Sequence, residues 1–228
     1  MDLKIMDEDG NEMPTGQKGE IVIKGDNVMA GYWNNPTATA ETIKDGWLFT
    51  GDLGYMDKDG FLYVLGRFKS LLIGNDGEKY SPEGIEEALV DQSPFIQQAM
   101  LYNNQNPFTT GLLVPDIDAI NRELKKRGIL AASDEGNRET LKILQQEMNE
   151  YKKGGKYEGM FPERWLPATF VVLPEAFTQD NGLINTTMKM VRGKITTYFE
   201  KEMNFLYTPQ AKNIENEVNL ESIRKWNS

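Results

Sequence analysis

The sequence changes character at Gly66, and that change restricts the fold more than any other feature. Before it, short apolar runs alternate with polar residues between turn signals. Leu3-Lys4-Ile5-Met6 meets Asp7-Glu8-Asp9-Gly10, and Glu20-Ile21-Val22-Ile23-Lys24 ends at Gly25. Gly54-Tyr55-Met56-Asp57 and Phe61-Leu62-Tyr63-Val64 flank Lys58-Asp59-Gly60. A period of two marks a half-buried strand, and Asp-Gly between apolar runs is a strong hairpin signal. Asn35-Pro36 opens a short helix running to Thr42, because proline is pre-organised for the first helical position.

After Gly66 the pattern mixes strand and helix periods. Ser70 to Ile73 reads as a strand and Gly74-Asn75-Asp76-Gly77-Glu78 as a turn. Ser81-Pro82-Glu83 predicts a helix start, with Ser81 as N-cap and Pro82 at the first position. Its apolar face carries Ile85 and Leu89. Gln97–Tyr102 and Gly111–Val114 are short strands, and Ile117–Lys126 is a helix. Arg138–Tyr151 places Leu141, Leu144, Met148 and Tyr151 on one helical stripe, between the breakers Ser133-Asp134-Glu135-Gly136 and Gly154-Gly155. Thr169 to Leu173 is a strand stopped by Pro174, and a helix spans Val191 to Phe205. The polar last stretch, of about 20 residues, is expected to be a loosely held tail. The predicted class is α+β: a small β-rich subdomain over residues 1–66 and an α+β domain over residues 67–228, joined near Gly66-Arg67-Phe68-Lys69.

Composition removes several kinds of chemistry. There is no cysteine and no histidine, so disulfides, thiolate metal sites, Ser-His-Asp catalysis and histidine-ligated zinc are excluded. Lysine and arginine number 25 against 35 aspartates and glutamates, a net charge of −10. That balance opposes nonspecific nucleic-acid binding, which needs clustered cations. No apolar run approaches the ~18 residues of a membrane helix, and no signal-length apolar stretch follows Met1-Asp2-Leu3-Lys4. A cytoplasmic protein with no transmembrane segment is expected.

Four segments could carry chemistry, and each has an ordinary alternative. Asp52, in Gly46-Trp47-Leu48-Phe49-Thr50-Gly51-Asp52-Leu53-Gly54, either caps a turn between strands or accepts hydrogen bonds from a ribose. Arg67 is either an exposed cation or a ligand of nucleotide oxygens. Gly74 and Gly77 serve either as turn residues or as places where a ligand passes close to the backbone. Lys189, standing alone, would be solvated surface. Asp7-Glu8-Asp9-Gly10 and Asp57-Lys58-Asp59-Gly60 prompt a calcium-binding module, but neither supplies a twelve-residue loop ending in glutamate.

Five segments in register resemble one family: Gly19-Glu20-Ile21-Val22-Ile23-Lys24-Gly25, Gly31-Tyr32-Trp33-Asn34-Asn35-Pro36, Gly46-Trp47-Leu48-Phe49-Thr50-Gly51-Asp52, Gly66-Arg67-Phe68-Lys69-Ser70 and Ser81-Pro82-Glu83. They resemble the adenylate-forming (AMP-binding) enzymes: acyl-CoA synthetases, luciferases and peptide-synthetase adenylation domains. Asn181-Gly182-Leu183-Ile184-Asn185-Thr186-Thr187-Met188-Lys189 is most similar to the long-chain fatty-acid–CoA ligase branch. The resemblance spans residues 3–205. It implies the last subdomain of the family's large domain followed by its whole mobile C-terminal lid. The family's phosphate loop, acyl pocket and Tyr-Gly-x-Thr-Glu segment have no counterpart in the sequence.

The implied reaction is ATP-dependent activation of a carboxylate to an acyl-adenylate, then transfer to coenzyme A, with Mg2+ accompanying ATP. By the same resemblance Lys189 is the catalytic lysine. Lys189-Met190-Val191-Arg192 matches Lys-aliphatic-x-Arg, with Met188 in place of the family's preceding glycine. Lys194, in Gly193-Lys194-Ile195, is its rival. Asp52 and Arg67 would hold the nucleotide, Lys69 falls at the hinge, and Gly77 lies in the loop lining the coenzyme A channel. Fatty acid, ATP and coenzyme A would be met through the absent N-terminal domain, which leaves the chain inert by itself; peripheral membrane contact of the complete enzyme stays open. No metal is expected to be held by the chain's own residues. Another acid, aryl or amino, is the alternative within enzymes.

Overall fold

Alternation and turn chemistry build the first five strands. The computed structural model describes every residue except Glu8 and Ser228, and every remaining side chain except that of Lys69. The chain divides into two compact units, Met1–Leu71 and Leu72–Ser228.

In the first unit, β1 (Asp2–Met6), β2 (Gly19–Lys24), β3 (Ile43–Lys44), β4 (Trp47–Met56) and β5 (Leu62–Arg67) form one antiparallel sheet ordered β1-β2-β4-β3, with β5 also on β4. Ile5, Ile21, Val22 and Leu53 are its buried apolar side chains. A helix, α1 (Pro36–Thr42), is capped by Asn35, whose side chain accepts the Ala38 N–H at 3.0 Å. The β4–β5 hairpin turns where Asp-Gly predicts: Asp57 Oδ1 accepts the Asp59 and Phe61 N–H groups, both at 2.9 Å, and Gly60 takes φ +85°. The segment Gly46–Gly54, expected to turn, is mostly strand. Its irregularity is a bulge, because Thr50-Gly51-Asp52 stands opposite the single residue Ile21.

In the second unit, β8 (Ile96–Tyr102), β10 (Thr110–Pro115) and β11 (Thr169–Val172) form a central sheet, β10 pairing antiparallel with β8 and parallel with β11. Alternation along these strands feeds two cores. Ala99, Leu101, Leu113, Phe170 and Val172 face α2 (Glu83–Gln92), α3 (Ile117–Lys126) and α4 (Asp134–Asn149). Met100, Leu112, Val114 and Val171 face α5 (Arg192–Tyr198) and α6 (Glu200–Phe205). A strand buried on both faces reads as a continuous apolar run, as Gly-Leu-Leu-Val does. A second small sheet joins β6 (Leu72–Gly74), β7 (Lys79–Tyr80) and β9 (Asn104–Asn106). The fold is α+β.

Four local expectations are corrected. Ser81 does not cap α2: Pro82 occupies the cap position, and Ser81 Oγ is buried without a hydrogen bond. Ser133–Gly136 begins α4 rather than breaking it, since Ser133 Oγ accepts the Gly136 N–H at 2.9 Å. Phe199 divides the expected Val191–Phe205 helix into α5 and α6. The tail is not loose. Its residues form α7 (Glu217–Trp226), with Ile223 fully buried. Asn219 completes the edge of β11, accepting the Val172 N–H at 2.8 Å and donating to Phe170 O at 3.4 Å.

Candidate functional site

In the first unit, strand register brings Asp52 and Arg67 together. They stand opposite each other on β4 and β5, with Arg67 Nε 3.1 Å from Asp52 Oδ1. The bulge sets the angle: Gly51 takes φ +75°, its N–H donates to Glu20 Oε1 at 2.9 Å, and Asp52 N–H donates to Thr50 Oγ1 at 3.1 Å. A side chain at Gly51 would be strained in that left-handed conformation. Arg67 Nη1 also donates to Thr50 O at 3.4 Å. Side-chain exposures of 53% for Arg67 and 36% for Asp52 make this a weak pair, about 0–1 kcal/mol. A ligand that re-partners either group therefore gives up little. The guanidinium's five donors leave capacity for another anionic oxygen. The hinge expectation rests on Lys69, whose side chain lies outside the described residues.

In the second unit, Gly77 sits in the β6–β7 turn at φ +81°, with its N–H bonded to Gly74 O at 3.0 Å. Lys189 lies on a different segment, a loop closed by one side chain. Asn185 Oδ1 accepts the N–H groups of Thr187 at 3.0 Å and Lys189 at 2.9 Å, and the Thr187 hydroxyl at 2.8 Å. Asn185 N–H donates to Lys189 O at 2.9 Å, and Ile184 bridges to Met190. Lys189 is exposed on this loop. Met188, just before it, takes φ +61°, a left-handed conformation natural to glycine. Gly193, before the rival Lys194, is instead an ordinary residue of α5. Lys194 is also exposed.

The root of the loop is a buried ion pair that sequence reasoning missed. Arg192 donates to Glu86 through a short bond and to Leu101 O at 3.3 Å, while Glu86 Oε1 accepts the Leu101 N–H at 2.6 Å. Glu86 is 4% exposed. Burial pushes its carboxyl above the usual range, and Arg192 with the Leu101 N–H opposes the shift. The signal was available: Glu86 lies three residues before Leu89 and beside Ile85 on the apolar face of α2. A charge there requires a partner.

Among the described residues no three Asp or Glu side chains converge as a metal site. Asp7 and Asp57 each spend a carboxylate oxygen closing their own turns. The described residues of these two turns therefore offer no cluster of carboxylates to a magnesium or calcium ion. A cavity of about 430 Å3 is lined by Tyr151, Lys152, Phe161 and Glu163 among others, and none of the predicted site residues contributes to it.

A family model described as AMP-binding enzyme matches residues 1–33. Human long-chain-fatty-acid–CoA ligase 1 is 32% identical over 210 residues, covering 90% of this chain and 30% of that protein. The o-succinylbenzoate coenzyme A synthetase of Bacillus subtilis, solved in complex with AMP, is 27% identical with a TM-score of 0.54, covering 85% of this chain and 33% of that one. The adenylation domain of a Mycobacterium chelonae carboxylate reductase shares the fold at 22% identity and a TM-score of 0.70, covering 91% of this chain and 31% of that one. The chain spans about a third of the length of the relatives it matches.

Proposed function

Because this chain belongs to the AMP-binding, adenylate-forming enzymes, we propose that it is the C-terminal part of an ATP-dependent acid–thiol ligase acting on long-chain fatty acids. Step one must bring a carboxylate onto the α-phosphate of ATP against like charge. Lys189 is assigned to that step: a compact cation on a long stem lowers the repulsion and stabilises charge developing in the transition state. Asp52 accepts hydrogen bonds from the ribose hydroxyls, and Arg67 turns its remaining donors to nucleotide oxygens. Lys69 is assigned to the hinge about which residues 67–228 swing between half-reactions. After that swing the Gly77 turn lines the channel for the thiol of coenzyme A. Magnesium accompanies ATP and finds its ligands outside this chain. The cytoplasm supplies all three substrates.

The observation that carries this reading is the loop holding Lys189 outward while Arg192, three residues later, is tied inward to Glu86. The acid is the less constrained part. The similarity to the o-succinylbenzoate synthetase favours an aryl acid as the second reading.

The test is ATP–pyrophosphate exchange with a panel of acids. The complete enzyme should exchange with long-chain fatty acids and then form the CoA thioester. Exchange driven by aryl acids alone would select the second reading. The 228-residue chain by itself should show no exchange, and measurable exchange would refute its role as a lid.

A further inference from the structure

The turn that carries Gly77 is gripped from a distant segment. Glu78, its last residue, receives three side-chain donors. Arg164 reaches it with Nε at 2.5 Å and Nη2 at 2.7 Å, one to each carboxylate oxygen, and Trp165 Nε1 reaches Oε2 at 3.0 Å. Both donors sit on one short 3-10 turn, Glu163–Trp165. The indole of Trp165 stacks on Tyr80 with centroids 5.1 Å apart and planes 5° from parallel. Tyr80 is 3% exposed, and its hydroxyl is bonded to the fully buried Thr109. One end of this clamp is therefore rooted in the core. The other end is a surface turn that closes on itself with three bonds: Gly77 N–H to Gly74 O, Gly74 N–H to Glu78 O, and Glu78 N–H to Asp76 Oδ1.

We propose that Arg164 and Trp165 are positioning residues for the thiol-transfer step, holding the Gly77 turn in the shape that admits coenzyme A. This inference rests on the ligase reading above. The physical reasoning is geometric. A bidentate guanidinium–carboxylate pair fixes orientation as well as distance, and the added indole N–H fixes the carboxylate's remaining rotation. An exposed ion pair contributes little to overall stability, so its loss is felt where it constrains a loop. The first half-reaction is assigned to Asp52, Arg67 and Lys189, on other segments, and does not depend on the clamp.

The experiment compares Arg164→Ala, Arg164→Lys and Trp165→Phe with the parent in the full-length enzyme carrying this chain, measuring both half-reactions. Arg164→Ala should keep ATP–pyrophosphate exchange within about twofold while raising KM for coenzyme A about tenfold or more, since small misplacements near a reacting group are costly. Arg164→Lys, which restores one of two bonds, should recover part of that loss. Trp165→Phe keeps the ring stack, guards against a folding defect, and should raise KM for coenzyme A by a smaller factor. An unchanged KM for coenzyme A, or equal losses in both half-reactions, overturns the proposal. A parent enzyme with neither exchange nor thioester formation overturns the ligase reading and this inference with it.

Discussion

Replacing Arg192 with methionine strands the Glu86 carboxylate. The Glu86 side chain is 5% exposed and that of Arg192 20%, so the charge lost from one side is not replaced by water. Removing one member of a buried pair costs about 3–5 kcal/mol. The cost depends on pH, and the sign follows from Glu86 titrating above its ordinary value of 4.5. Arg192 is one of the groups that pull it down, so its loss pushes the carboxyl higher still. Between the unfolded and folded pKa values the native state binds more protons than the unfolded state, and stability falls as pH rises. Every further tenfold weakening of the acid adds about 1.4 kcal/mol to that fall. The penalty should therefore be smallest below the unfolded value and largest once pH exceeds the folded one. Urea titrations followed by helical circular dichroism, at about pH 5 and about pH 8, measure this directly. A double variant, Arg192→Met with Glu86→Leu, should recover only part of the loss: the stranded charge is gone, but the buried Leu101 N–H loses the Glu86 oxygen that accepted it. A cost below about 1 kcal/mol, or one identical at the two pH values, would refute the reasoning.

Three further outcomes are expected. Met188→Gly should raise stability by about 1 kcal/mol in the same titration, because φ +61° is free for glycine and costly for methionine. Ile223→Ala should cost about 2–5 kcal/mol and increase amide exchange along residues 214–226; unchanged exchange would contradict the docking of α7. Lys69→Pro in the complete enzyme should trap one orientation of the lid, and an unaffected thioester step would argue against the hinge.

The strands of the first unit were readable because local chemistry decides them. Asp57 and Gly60 close a hairpin with bonds spanning four residues. The pairing of Asp52 with Arg67 was not readable in that way, because it depends on a β4–β5 register that skips Leu65, between the Leu53–Gly66 and Gly54–Val64 pairs. The C-terminal helix was hidden by its composition. Asn219 looks solvent-facing in sequence, yet it is buried because the open edge of β11 offers it a backbone donor and an acceptor. At Ser133–Gly136 the same residues that signal a break also start a helix. A Cβ at Gly136 would come within 2.3 Å of Leu130 O, so this glycine serves close packing rather than a turn. The Lys189 segment was identified by resemblance. What local chemistry adds is the reason a glycine suits the position before the lysine: the backbone there is left-handed.

The most direct test compares Lys189→Ala and Lys194→Ala in the complete enzyme, with adenylation measured by pyrophosphate exchange and thiol transfer measured from preformed acyl-adenylate. Lys189→Ala should lose adenylation by about 100-fold or more, the scale of one lost electrostatic contact to a transition state, and keep most of the second step, while Lys194→Ala stays within a few-fold of the parent in both. Equal losses of both steps in Lys189→Ala, or an adenylation defect that follows Lys194, would contradict the account.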